Sequence, residues 1–419
     1  MIQSHPSSFA VALACLGVPA LAVAQTTAPV YTEPSPLERE PIAAAPSAEQ
    51  SPLAVARAEY RPGKGLTFTS ADESFDLAMR LRAQFLYTAA HRQESEPLEH
   101  LFEVRRARLQ FVGHVFGEHN KYKVELAFSP RDEGVNGQGP EITPLLDWYA
   151  EFDYVRDLTV RLGQYKVPFN RQRVISSGDL QLVDRALAQG EFHLDRDVGL
   201  HFSSPDLGGL GLFKYYAGVW MNEGRDAYQF RPYTNMYIAR VEVLPFGMFD
   251  DYKESDLKRH TKPGLSVGAA YAFLDDASND RGILGEPPED AGTTDFHLVT
   301  ADLLFKYRGA SLQGEFYYRH GSRNAQGDMV APARNGLGWF VQGGYLLPTI
   351  PLEVAARYSE IHPEDADSSL GKQHSAGFGV SWYPGDHSLK LQADYFRAWA
   401  DDEIDEGDDT ARIQLQLAY

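Results

Sequence analysis

From Ser74 to the last residue, apolar and polar positions alternate with a period of two, the period of a strand whose two faces meet different surroundings. Phe75, Leu77, Met79, Leu81, Ala83, Phe85 and Tyr87 share one face, and Asp76, Ala78, Arg80, Arg82 and Gln84 share the other. Tyr122, Val124, Leu126 and Phe128 oppose Lys121, Lys123 and Glu125 in the same way. Trp148, Ala150 and Phe152 oppose Asp147, Glu151 and Asp153, and Leu389, Leu391, Ala393 and Tyr395 oppose Lys390, Gln392 and Asp394. Sixteen such segments begin near residues 74, 101, 119, 145, 157, 197, 210, 236, 264, 294, 310, 337, 351, 372, 387 and 409. Several are long enough to cross a bilayer, which takes about 9–11 tilted residues.

The connections separate a barrel from a sandwich. Tight turns at 117–118, 155–157, 308–309, 348–350 and 384–386 take the even slots. Long stretches at 130–144, 167–196, 221–235, 275–293, 320–336, 360–371 and 400–408 take the odd ones, with 246–263 the one long connection in an even slot. Such parity is the mark of a transmembrane barrel, with short inner turns and long outer loops. The pattern therefore predicts an all-β, antiparallel up-and-down barrel of about sixteen strands over 71–419. Both of its ends are expected on the periplasmic side of a bacterial outer membrane.

The ends of the chain agree. The final segment alternates Ala411, Ile413, Leu415, Leu417 and Tyr419 with Arg412, Gln414, Gln416 and Ala418, and finishes on an aromatic residue. This resembles the signal by which the barrel-assembly machinery recognises the last strand of its substrates. At the other end, residues 9–24 form an apolar run closed by Ala22-Val23-Ala24, so 1–24 reads as a cleaved signal peptide, although no Lys or Arg precedes the run. Residues 25–70 read as a Pro- and Ala-rich periplasmic leader, with seven prolines between Pro29 and Pro62.

Composition adds exclusions. Mean hydropathy is -0.36, and nothing past residue 24 approaches the roughly 18 consecutive apolar residues of a membrane helix. A barrel keeps such a soluble-looking average because lumenal residues alternate with lipid-facing ones. The 22 Tyr and 23 Phe suit strands and interfacial girdles. Cys15, the only cysteine, would leave with the signal peptide, so no disulfide or thiolate metal site is expected, nor any cofactor. A net charge of -19 disfavours nucleic acid as a partner. Acidic runs such as 401–409 read as solvated loops or as sites where divalent cations bridge to lipopolysaccharide headgroups. Neither G-x-S-x-G nor H-E-x-x-H occurs, and no enzyme is expected.

Three motifs, Arg105-Arg106-Ala107-Arg108-Leu109, Gly163-Gln164-Tyr165-Lys166-Val167-Pro168-Phe169 and Arg196-Asp197-Val198-Gly199, resemble in order and spacing those of the phosphate-selective porin O and P family. The resemblance implies a trimeric barrel whose third outer loop folds inward, and an anion channel lined by basic residues. The alternation supplies inward-facing candidates. These are Arg80, Arg82, Arg106, Arg108, Lys121, Lys123 and Arg161, with Lys166, Arg171 and Arg173 where the third loop begins. Arg80, Arg82 and Arg108 fall mid-strand, at constriction depth. A one-residue slip would place these cations in lipid at about 2–4 kcal/mol each. Small anions such as phosphate or polyphosphate are the expected solutes. Lumenal Glu125, Asp147, Glu151 and Asp153 leave open a general non-selective porin whose Arg–Glu ladders only stiffen the wall. A non-conducting adhesin or structural barrel is the third alternative.

Overall fold

In a computed structural model that describes residues 55–61, 63–93, 97–133, 135–136, 139–140, 143–227, 234–325 and 330–419, the alternating segments pair into one closed antiparallel sheet. The signal peptide 1–24, with Cys15, and most of the leader lie outside the described residues. Sixteen strands form the wall: β3 (Asp76–His91), β4 (Glu99–His114), β5 (Asn120–Ala127), β6 (Leu145–Val155), β7 (Leu158–Lys166), β8 (Arg196–Ser204), β9 (Phe213–Trp220) and β10 (Met236–Val243) make one half. The other half is β11 (Gly264–Ala277), β12 (Thr293–Tyr307), β13 (Ala310–Asn324), β14 (Gly336–Leu346), β15 (Leu352–Pro363), β16 (Gln373–His387), β17 (Leu389–Ala400) and β18 (Asp408–Ala418). Every start lies within three residues of the position expected from periodicity.

The barrel closes where β18 pairs with β3, from Asp409↔His91 to Ala418↔Arg82. Leu81 and Tyr419 then exchange backbone hydrogen bonds at 2.7 and 2.9 Å. Beyond that point the remaining edge of β3 is covered by a hairpin placed in the leader by composition. Its strands are β1 (Val55–Arg61) and β2 (Gly65–Ser70), and β2 pairs from Leu66↔Met79 to Thr69↔Asp76. This corrects the 25–70 boundary. Leu66-Thr67-Phe68-Thr69 can continue the sheet, and an unpaired strand edge is a liability that the hairpin removes.

The faces are inverted relative to a soluble sheet. Gln84, Glu242 and Lys390 on the inner face are 0% exposed, whereas Phe102 and Phe378 outside are 71% and 62% exposed. One end of the barrel carries the long loops. The other carries short turns, down to the single residue Ser388 between β16 and β17. The connection 244–263 is the long exception at the short-turn end.

The third loop, 167–195, lies inside the lumen against the far wall. It holds two short helical stretches, Arg171–Val174 and Leu187–Phe192. Its buried backbone is met by wall side chains rather than by a strand. Lys390 Nζ donates to Leu180 O at 2.7 Å, Gln416 Nε2 to Gly178 O at 3.0 Å, and Asp394 accepts from Val183 N at 3.0 Å. Arg171, expected to line the pore, turns away from it. It is wholly buried, donating from Nε to Asp302 Oδ1 at 2.6 Å and from Nη2 to Ser266 Oγ at 2.8 Å. Asp251 Oδ2 also stands 3.2 Å from its Nη1. Alternation has no hold on a loop residue, and two carboxylates, Asp302 on the far wall and Asp251 on the connection 244–263, decide its direction.

Breaking a buried ion pair by removing one partner costs about 3–5 kcal/mol. Arg171→Ala is therefore expected to lower the unfolding free energy in detergent by about that amount. A denaturant midpoint equal to the parent's would show that the pairs do not anchor the loop.

Candidate functional site: a basic lumenal passage

The third loop leaves free the side of the lumen bounded by β3 to β8. A cavity of about 1120 Å³ opens toward the long loops, and one of about 700 Å³ opens toward the short turns. Both linings include Arg108, Lys166 and Arg196, so these three side chains stand at the neck between them. Fifteen Lys and Arg line the two cavities against eight Asp and Glu, apart from the chain terminus at Tyr419. The passage is locally basic in a chain of net charge -19.

Strand geometry places these cations. On β4 the register shifts between Gln84 and Phe85 of the partner strand, leaving Arg105 unopposed as a bulge. A bulge inserts one residue and re-aims its neighbours. Here Arg105, Arg106 and Arg108 all line the larger cavity. Arg105 Nη2 donates to Asp184 Oδ2 of the third loop at 2.8 Å, and Arg106 Nη1 donates to Gln84 Oε1 at 2.8 Å. Arg108 is matched by Asp132 at 2.7 Å and Glu125 at 3.3 Å. Lys123 is matched by Asp147 at 2.6 Å and Glu125 at 2.8 Å. Arg196 Nε donates to Asp147 Oδ1 at 2.6 Å, and Arg173 Nε donates to Asp195 Oδ1 at 2.9 Å.

Six of the lining cations show no ion pair among the described residues: Lys64 and Arg80 near the short-turn end, Arg225 on a long loop, and Arg82, Lys166 and Arg185 at or beside the neck. Arg82 donates to the Ser176 and Ser177 hydroxyls at 2.7 and 3.2 Å. Lys166 Nζ donates to Arg173 O at 2.9 Å. Arg185 donates to Gln172 O and Ile175 O at 2.8 and 2.7 Å. Hydroxyls and carbonyls orient a charge without cancelling it. Within the loop, burial and the neighbouring Arg173 push Arg185 down from the usual arginine range. Burial works against ionisation of Asp184 as well. The guanidiniums of Arg105 and Arg106 nevertheless hold its carboxyl well below the usual carboxylate range.

Of the residues expected in the pore, Arg106, Arg108, Lys166 and Arg173 line the larger cavity, and Arg80, Arg82, Lys123 and Arg161 line the smaller one. Arg80 is not at the neck as its mid-strand position suggested. The β1–β2 hairpin draws it toward the short-turn end, where its Nε donates to Lys64 O at 3.2 Å. Arg161 lies over the Tyr149 ring at 4.4 Å and donates to Glu151 at 2.8 Å. Lys121 is exposed beside Asp153 and lines neither cavity, and Arg171 is buried behind the loop.

Sequence reasoning missed seven of the fifteen lining bases: Lys64, Arg105, Arg131, Arg185, Arg196, Arg225 and Lys253. By strict alternation Arg196 and Lys166, paired across β7 and β8, belong with the outward Leu200 and Leu162. Both sit at strand ends, where the chain leaves the wall and the side chains follow the loop inward. The family motifs marked Arg105 and Arg196, but nothing local marked Arg185.

A family model described as phosphate-selective porin O and P matches residues 75–419. An uncharacterized protein of Aquifex aeolicus is 25% identical over 295 residues, covering 65% of this chain and 67% of that one. Among solved structures, Salmonella typhi OmpF in complex with daunomycin matches 83% of this chain and 99% of its own, at 13% identity and a TM-score of 0.55. The outer membrane channel DcaP of Acinetobacter baumannii matches 84% and 99%, at 12% identity and a TM-score of 0.52. The trimer form of Vibrio cholerae OmpT matches 83% and 100%, at 11% identity and a TM-score of 0.52. The sequence match takes in the whole closed wall and the loop inside it, and the chain belongs to the phosphate-selective porin O and P family of outer-membrane channels.

Proposed function

We propose that the chain is a passive diffusion pore biased toward small hydrophilic anions, phosphate and polyphosphate among them. The observation that carries this reading is the trio Arg82, Lys166 and Arg185, charges held at or beside the neck by neutral groups alone. A permeating oxyanion loses water and needs charge-assisted hydrogen bonds in its place. Arg82 lines the smaller cavity, and the serine hydroxyls that hold it leave its charge uncancelled. Cations already matched by carboxylates, such as Arg108 and Lys123, contribute position more than net field. Arg106, Arg161 and Arg173 extend the basic lining on either side.

In this reading the long-loop end faces outward and the β1–β2 hairpin and Tyr419 face the periplasm, which follows the usual loop asymmetry of such barrels. The Ala411 to Tyr419 strand is the segment offered to the barrel-assembly machinery. Lipopolysaccharide surrounds the long-loop rim, and a homotrimer is the assembly, as in the trimer form of OmpT.

Reversal potentials of purified protein in planar bilayers under a KCl gradient test the reading. Arg82→Ala is expected to lower the anion-over-cation permeability ratio by roughly threefold, because it removes an uncompensated charge from a confined passage. Lys121→Ala, at the mouth and beside Asp153, is expected to leave the ratio unchanged. An Arg82→Ala ratio equal to the parent's would sink the anion bias.

Selectivity should also depend on pH. Burial raises the carboxyl of Asp179, on the third loop and in the lining of the smaller cavity. A raised carboxyl takes up its proton above the usual carboxylate range, near pH 4. Asp184 and Asp195 stay ionised there, because burial is outweighed by Arg105 and Arg106 at the first and by Arg173 and Arg196 at the second. Falling pH therefore removes negative charge from the passage before it removes those ion pairs. The anion ratio is expected to rise as pH falls from neutral toward the usual carboxylate range. In Asp179→Asn the ratio should start high and stay flat, and a parental pH dependence in that variant would reject the assignment.

A further inference from the structure

The connection 244–263 is out of scale with the other short-turn connections, and four of its polar residues are buried. Asp251, Glu254, Ser255 and Asp256 are all less than 5% exposed. Hydrogen bonds at several points fix this turn to the wall. Lys214 Nζ donates to Asp251 Oδ1 at 2.8 Å, Ser255 Oγ donates to Glu353 Oε2 at 2.6 Å, and Gly309 N donates to Asp256 Oδ2 at 2.7 Å. From that footing the turn reaches the third loop. Arg171 Nη1 donates to Asp251 O at 3.0 Å, and Glu254 N donates to Asp179 O at 3.2 Å.

Glu254 makes the central contact. Its Oε1 accepts from Gln172 Nε2 at 2.9 Å, and its Oε2 accepts from Gln181 N at 2.7 Å and from Gln342 Nε2 on β14 at 3.0 Å. None of its hydrogen-bond donors is a cation. A buried carboxylate held by amide donors is a costly way to gain stability. It is, however, an effective way to fix the two residues that it bridges.

Those two residues bracket the stretch 173–180. From this stretch come the Arg173 carbonyl that holds Lys166 and the Ser176 and Ser177 hydroxyls that hold Arg82. The Gln172 carbonyl at its edge holds Arg185. Arg82, Lys166 and Arg185, the cations at or beside the neck without an ion pair, are thus oriented by a segment clamped at both ends on one carboxylate.

We propose that the turn 244–263 is a strut that props the third loop from the short-turn side and sets the bore of the neck, with Glu254 as the positioning residue. The proposal rests on the lumen being the conducting path and not on which ion it prefers.

Single-channel recording of Glu254→Ala beside the parent tests it, with heat-modifiable gel mobility confirming that the barrel has closed. Glu254→Ala is expected to raise the frequency of brief closures by about tenfold, the effect of losing the clamp's hydrogen bonds on a local opening equilibrium. Glu254→Gln, which still accepts from Gln181 N, is expected to restore most of the parental behaviour. If Glu254→Ala does not assemble, Gln172→Leu removes one arm of the clamp from the loop side and is expected to raise closures by about threefold. Parental closure frequencies in the assembled variants overturn the strut. So do closures in Glu254→Gln as frequent as in Glu254→Ala. Absence of conductance in the parent would instead defeat the reading of the lumen as a path, a separate outcome.

Discussion

At membrane depth a backbone N–H or C=O has no water to turn to, and each one left without a partner carries a free-energy cost of several kcal/mol. A strand can meet that demand only if it has a neighbour on both sides, so the sheet must close. Here closure falls on β3, whose single long edge is shared between β18 and the β1–β2 hairpin, with Leu81 and Tyr419 at the join. Once the wall is closed, period two decides the rest: one set of side chains meets lipid and the other meets the lumen. The lumenal set is then crowded with donors and acceptors that need partners of their own. The third loop and the turn 244–263 supply them. The exchange is mutual, because the loop backbone is buried without a strand neighbour and takes its bonds from Lys390, Gln392 and Gln416 on the wall.

This explains which features were legible in the sequence. The sixteen strands were, because alternation is local and a register error of one residue is so costly. The side on which Arg82, Arg106 and Arg108 lie was legible for the same reason. The hairpin was not, since a run rich in Ala and Pro hides two short strands whose only reason to form is an edge that belongs to β3. Arg105 was hidden by a bulge, which period two cannot foresee. Loop residues obey no period at all. Arg171 and Arg185 lie on one loop, yet the first is drawn to Asp302 on the far wall and the second lines the passage. Their difference is set by contacts more than a hundred residues away in one case and by nearby carbonyls in the other.

Overall charge was the least informative quantity. Most of the excess acid sits in rim segments such as Asp401 to Glu406, which are exposed to solvent. Exposed charges are screened within a Debye length of about 8–10 Å at ordinary ionic strength. A solute in the passage is closer than that to the lining and sees fifteen bases against eight acids. Even this ratio overstates the field, since Arg108, Lys123 and Arg196 share Glu125, Asp132, Asp147 and Asp195 in a network close to neutral. What remains is the part held by hydroxyls and carbonyls.

That manner of holding has consequences for transport. A cation matched by a carboxylate releases little of its field, and a fully free one in a narrow passage would bind an anion too well to let it leave. A guanidinium such as that of Arg82, with some donors turned to serines and its charge uncancelled, lies between these limits. The compromise works only if the serines themselves stay in place. In this barrel their position depends on a loop clamped against the wall, and on a turn entering from the other end to hold the clamp. Selectivity at the neck and the packing of the far half of the lumen are therefore one structural problem, and a mutation on either side of the loop will be felt on the other.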